Sequence, residues 1–104
     1  MTKKEFFLQK IIPQIKEQIF EYEFQLIRNQ YILQRLEDEL EKLEKTPIFQ
    51  AGENIENFLK ERAKKKAEIE QQIKEVKRNI EYLPLMKEEE ERFLEYFKEY
   101  IEKL

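Results

Sequence analysis

The chain has no cysteine, no histidine and no tryptophan, and only one glycine and three prolines in 104 residues. Without Cys, neither a disulfide framework nor a thiolate metal site can form. Without His, the commonest general base and the commonest metal ligand are both missing. One Gly is too few for the loops that cradle phosphates or dinucleotides. No apolar run reaches the ~18 residues of a membrane-spanning helix. Met1 to Phe7 lack an uninterrupted apolar signal core and a small-residue cleavage site, so a cytoplasmic location is expected. The net charge of -3 provides no bulk attraction to nucleic acid or to anionic membranes.

What remains is 41% charged and 40% hydrophobic residues. Glu, Lys, Leu and Ile with few turn formers are the composition of long helices or coiled coils, and too apolar for disorder. At this length the chain reads as a single helical domain, small enough that an elongated fold needs a partner to bury sufficient surface.

Thr2 followed by Glu5 fits a capping box at a helix start. From there Leu8, Ile12, Ile15, Ile19, Tyr22, Leu26, Asn29, Leu33, Leu36, Leu40 and Leu43 recur in alternating steps of four and three. That seven-residue repeat marks a helix supercoiling against another. It predicts a helix over 3–45, roughly 60 Å long, with a kink at Pro13. Thr46, Pro47 and Gly52 mark a loop over 46–53, and Asn54 is placed to cap the next helix. The second seam is Ile55, Leu59, Arg62, Lys66, Ile69, Ile73, Val76, Ile80 and Leu83, on a helix over 54–83. The register persists beyond Pro84 through Lys87 and Glu90 to Leu94, Phe97, Ile101 and Leu104, as a kinked continuation would. The acids Glu88 to Glu91 favour instead a fresh helix over 85–104, since the helix dipole draws acids to its start.

Paired antiparallel, the seams match best with Ile12 by Leu83, Leu26 by Ile69, Asn29 by Lys66 and Leu40 by Ile55. Most layers are then apolar, and Asn29 and Lys66 meet each other. In that alignment Phe93, Leu94, Phe97, Tyr100 and Ile101 run past the N-terminus without a hairpin partner. The first helix carries a second apolar stripe of its own: Phe20, Phe24, Ile27 and Tyr31. A helix apolar on two sides is buried on two sides. The two sets are therefore expected to cover each other, within a three-helix bundle or across a homodimer.

The acidic clusters Glu37 to Glu39 and Glu88 to Glu91 do not converge on one ion, because consecutive helix residues point apart. No catalytic, cofactor-binding, metal or small-molecule site is expected. Lys60, Arg62, Lys64, Lys65 and Lys66 are the candidate nucleic-acid contacts, but they alternate with acids four residues away that support the helix itself. They also lack interleaved aromatics for base stacking. Lys3, Lys4 and Lys10 with Phe6, Phe7 and Leu8 resemble a membrane-surface helix, although Leu8 and Ile12 already belong to the seam. The expectation is an all-α, coiled-coil-like helical hairpin, without enzymatic activity, that binds a protein partner or its own copy. The alternative is a small nucleic-acid-associated regulator using Lys60 to Lys66.

Overall fold

The computed structural model describes residues 1–47 and 54–104, so most of the expected loop lies outside the described residues. Every described element is helical: α1 (Lys3–Phe6), a π-helical turn (Phe7–Ile11), α2 (Ile12–Lys45) and α3 (Ile55–Glu102). Thr2 is extended and its Oγ1 accepts the Glu5 N–H at 3.1 Å, capping α1 as expected from the sequence.

The π-helical turn is the structural answer to Pro13. A proline ring collides with the carbonyl four residues back, and a wider turn just ahead of it relieves that collision. Here the Ile12 N–H donates to the Phe7 carbonyl. The extra residue in the turn also moves the upstream seam by one position. Phe7 is half-buried while Leu8 is exposed, which corrects Leu8 as the first seam residue.

The chain divides into two units, Met1–Arg28 with Ile80–Leu104, and Asn29–Asn79, and both long helices contribute to each. In the first, Ile12, Ile15 and Ile19 of α2 bury against Leu94 and Ile101 of α3, with Phe7, Ile11 and Phe97 packed on them. In the second, Ile69 and Asn29 are buried, and Leu33, Leu36, Leu40, Leu43, Ile73 and Val76 are half-buried. The heptad seams are thus the residues that each unit encloses.

Their alignment differs from the expected one. Phe7 meets Phe97 and Glu23 meets Lys87 in the first unit. Asn29 meets Asn79 and Glu44 meets Lys66 in the second. The helices are antiparallel in each, but α3 is displaced by about two heptads from the pairing of Asn29 with Lys66. Ile55 and Leu59, expected opposite Leu40 and Leu36, are exposed. Pro13 and Pro84 accordingly do not share a level.

Polar seam residues explain the displacement. Arg62 donates to the Thr46 carbonyl at 3.1 Å and also to the Glu44 carbonyl, closing the C-terminal end of α2. Lys66 pairs with Glu44 at 3.3 Å and Lys87 with Glu23 at 2.6 Å. Asn79 donates its side-chain N–H to Asn29 Oδ1 at 3.2 Å. The expected alignment gave a partner to Asn29 and Lys66 alone; the observed one also serves Arg62 and Lys87.

α3 continues unbroken through Pro84, so the fresh helix after it is not formed. Leu94 and Ile101 downstream sit on Ile12, Ile15 and Ile19, and that packing holds the heptad phase across the proline. Their burial also overturns the expectation that residues beyond Phe93 lack a hairpin partner.

Candidate interaction surface

The expected interface residues separate into two groups. Leu94 and Ile101 are core, and Phe97 is half-buried with its ring 5.1 Å from Phe7, edge to face. These three belong to the fold. Phe93 stacks on Phe97 at 5.9 Å yet stays 48% exposed, and Tyr100 stays 42% exposed. On α2, Phe20, Phe24 and Ile27 are 65%, 52% and 64% exposed in the first unit. Tyr31, in the second unit, is exposed as well. Within the chain, the Phe20–Ile27 stripe does not cover the C-terminal arc, whose inner residues are covered by Ile12, Ile15 and Ile19 instead.

Tyr82, Leu85, Met86 and Tyr96 are further exposed residues of α3 that reading the a/d seam alone passes over. The missing signal is a second heptad on the same helix. Tyr82, Met86, Glu89, Phe93, Tyr96, Tyr100 and Lys103 follow one another in steps of four and three. With about 100° per residue, this row lies roughly 110° around α3 from the buried one.

On the opposite flank of α3, a groove of about 470 Å³ has Tyr22, Leu26, Ile27, Leu83 and Pro84 as its apolar lining. Glu23, Glu88, Glu91 and Lys87 also line it. Lys87 Nζ lies 2.6 Å from Glu23 and 3.6 Å from Glu91. The hydrogen bond that Lys87 donates to Glu23 is the main reason that the ammonium titrates above its ordinary value, with both carboxylates adding charge attraction.

The basic run is divided as well. Arg62 and Lys66 are committed to Thr46 and Glu44, and Lys66 also lies 4.0 Å from Glu70. Lys60, Lys64 and Lys65 are exposed. At the N-terminus, Lys3 Nζ sits 5.8 Å from the centre of the Phe7 ring, whose edge packs on Phe97. Glu88 pairs with Arg92 at 2.8 Å along the helix surface. Among the described residues no group of acidic side chains is placed to hold a metal ion, and no helix is long and apolar enough to cross a membrane.

Comparison with protein-family models, curated proteins and solved structures gives no match. Any reading of function therefore rests on the surfaces just described.

Proposed function

We propose that the chain is a non-catalytic protein-interaction module that associates with its own copies through apolar side chains outside the hairpin seam. One observation carries this reading: α2 exposes Phe20, Phe24 and Ile27 in the unit where a neighbouring side of the same helix is already packed through Ile12, Ile15 and Ile19. Large aromatic side chains in a contiguous row are where interface energy concentrates, and exposed rows of this kind mark association sites or aggregation liabilities. The composition agrees, because it lacks His and Cys for chemistry and supplies two apolar sides per helix.

Sedimentation velocity over a range of concentrations tests the reading. Self-association predicts a mass that rises from monomer to a defined oligomer. A chain that stays monomeric at high micromolar concentration would overturn it. The nucleic-acid alternative is weakened by the engagement of Arg62 and Lys66 within their own unit. Steeply salt-dependent binding of duplex DNA, lost in Lys60→Glu/Lys64→Glu, would revive it.

A further inference from the structure

We infer that a second copy of this chain docks antiparallel on α3, its row of Met86, Phe93, Tyr96 and Tyr100 packing against the same row of the first. The inference rests on the self-association proposed above and assigns one contact surface to it, on α3 and separate from the α2 stripe.

Three features support it. The row keeps heptad spacing for more than two heptads within one unit, and that spacing is a requirement of helix-on-helix packing rather than of solvation. It lies about 110° from the buried seam, an angle at which one helix can contact two neighbours in a bundle. Its area suits a weak, reversible pair. Met86, Phe93, Tyr96 and Tyr100 are 37% to 67% exposed, and residues of this size bury about 150–250 Å² each, which leaves roughly 800 Å² across a two-fold pair. That is below the size of a standard stable interface and within the range of transient contacts.

Charge fixes direction and register. A parallel pair would set Glu89 against Glu89 and Lys103 against Lys103. An antiparallel pair centred on residue 91 would bring Arg92 to Arg92 and Glu89 to Phe93. Centred between Leu94 and Glu95, the antiparallel pair places Phe93 opposite Tyr96, and Glu89 opposite the Tyr100 hydroxyl. Met86 then lies along the Lys103 stem, and Arg92 of each copy flanks Glu99 of the other. Arg92 now holds Glu88 and Glu89 along its own exposed helix surface, a weak, solvent-screened arrangement that it can leave. Such a two-fold contact is isologous and closes at two copies.

Charge reversal with complementation tests this. Arg92 and Glu99 are exposed and outside the core, so Arg92→Glu and Glu99→Arg should keep the parent's helical circular dichroism. Each variant alone puts like charges at both flanks, and its self-association should weaken at least about tenfold. In an equimolar mixture the opposite charges meet again, and sedimentation should recover a heterodimer at concentrations where each variant alone is monomeric. Two single variants that dimerise like the parent would overturn the interface, as would a mixture no more associated than its components. With a dimeric parent, either failure refutes this surface and leaves self-association standing. A monomeric parent refutes both.

Discussion

Ile101→Ala separates the observed pairing of the helices from the alignment that apolar matching alone predicts. Ile101 is 2% exposed, in a cluster with Ile12, Ile15, Ile19 and Leu94. In the expected alignment it would overhang the N-terminus with only the Phe20–Tyr31 stripe to cover it, and with that stripe exposed truncation would cost almost nothing. In the observed one it removes three buried carbons and leaves a cavity, a change that costs about 2–5 kcal/mol in well-packed cores. The cluster is formed by two helices and its other members are 7–9% exposed. Neighbours can therefore partly collapse and water can partly fill the gap, which puts the expected cost at the lower end, about 2–3 kcal/mol. For a chain of this size each kcal/mol moves the midpoint by about 4–8 °C, so Ile101→Ala should melt roughly 10–20 °C below the parent. Thermal circular dichroism measures the shift, with urea unfolding to obtain the free energy directly. The protein concentration is held fixed, since the proposed association would also contribute to stability. A loss below about 1 kcal/mol is what surface truncations give, and it would refute the placement of Ile101 on Ile12–Ile19 and the pairing built on it.

Asn29→Leu should raise stability by about 1 kcal/mol, because Asn79 is exposed and its released amide returns to water. Thermal melting reads the gain, and light scattering reads any broadening of oligomeric states as the polar layer is lost. Arg62→Ala should cost about 1 kcal/mol by removing the donor to the last carbonyls of α2, and faster amide exchange near α2's C-terminus would localise the loss. Arg62→Lys should rescue little, since a point charge cannot serve both carbonyls as the fork does. Lys87 titrates above its usual 10.5 because of Glu23, so its contribution is complete below that value and disappears as pH rises through the raised one. Melting points across alkaline pH should fall there for the parent and less for Glu23→Gln.

The seam on α2 was legible almost residue by residue, because burial of one helical stripe imposes its period directly on sequence. Its start was not. The π-helical turn moved Phe7 in and Leu8 out, and a seven-residue repeat contains no signal for an added residue. The offset between helices was the larger miss. Ile and Leu layers are nearly interchangeable, so sliding α3 by whole heptads leaves most apolar contacts equivalent. The discriminating information was in Arg62, Lys66, Lys87 and Asn29. Arg62's partners are backbone carbonyls at a helix end, a kind of partner that side-chain matching does not consider. Continuity through Pro84 was ambiguous for a related reason: local acid placement favoured a new start, and tertiary packing of Leu94 and Ile101 outweighed it. For the interaction surface, the Phe20–Ile27 stripe was visible as a second apolar side. Tyr82, Met86 and Tyr96 were missed because Glu89 and Lys103 interrupt their row.

Those two interruptions bear on why α3 carries two heptads with different fates. The row that folds against α2 is richer in Ile and Leu, and of its charged members Arg62, Lys66 and Lys87 are matched within the chain. The outer row has three tyrosines, with Met86, Phe93, Glu89 and Lys103. A Tyr side chain is stable on either side of an association equilibrium: its ring supplies apolar area when covered, and its hydroxyl stays hydrogen-bonded to water when exposed. A row of Leu in the same positions would make the free chain prone to unspecific aggregation. In the proposed pair Glu89 and Lys103 would add selectivity rather than affinity, because they would repel in the parallel arrangement and meet Tyr100 and the Met86 flank in the antiparallel one. The composition of the outer row therefore suits the proposed pair to be reversible and concentration-dependent rather than obligate. On this argument, replacing Glu89 with Leu should tighten association while relaxing its orientation, so that disulfide trapping through single introduced cysteines detects parallel as well as antiparallel pairs. Trapping confined to antiparallel pairs in Glu89→Leu would show that orientation is set elsewhere, with Arg92 and Glu99 the next groups to test.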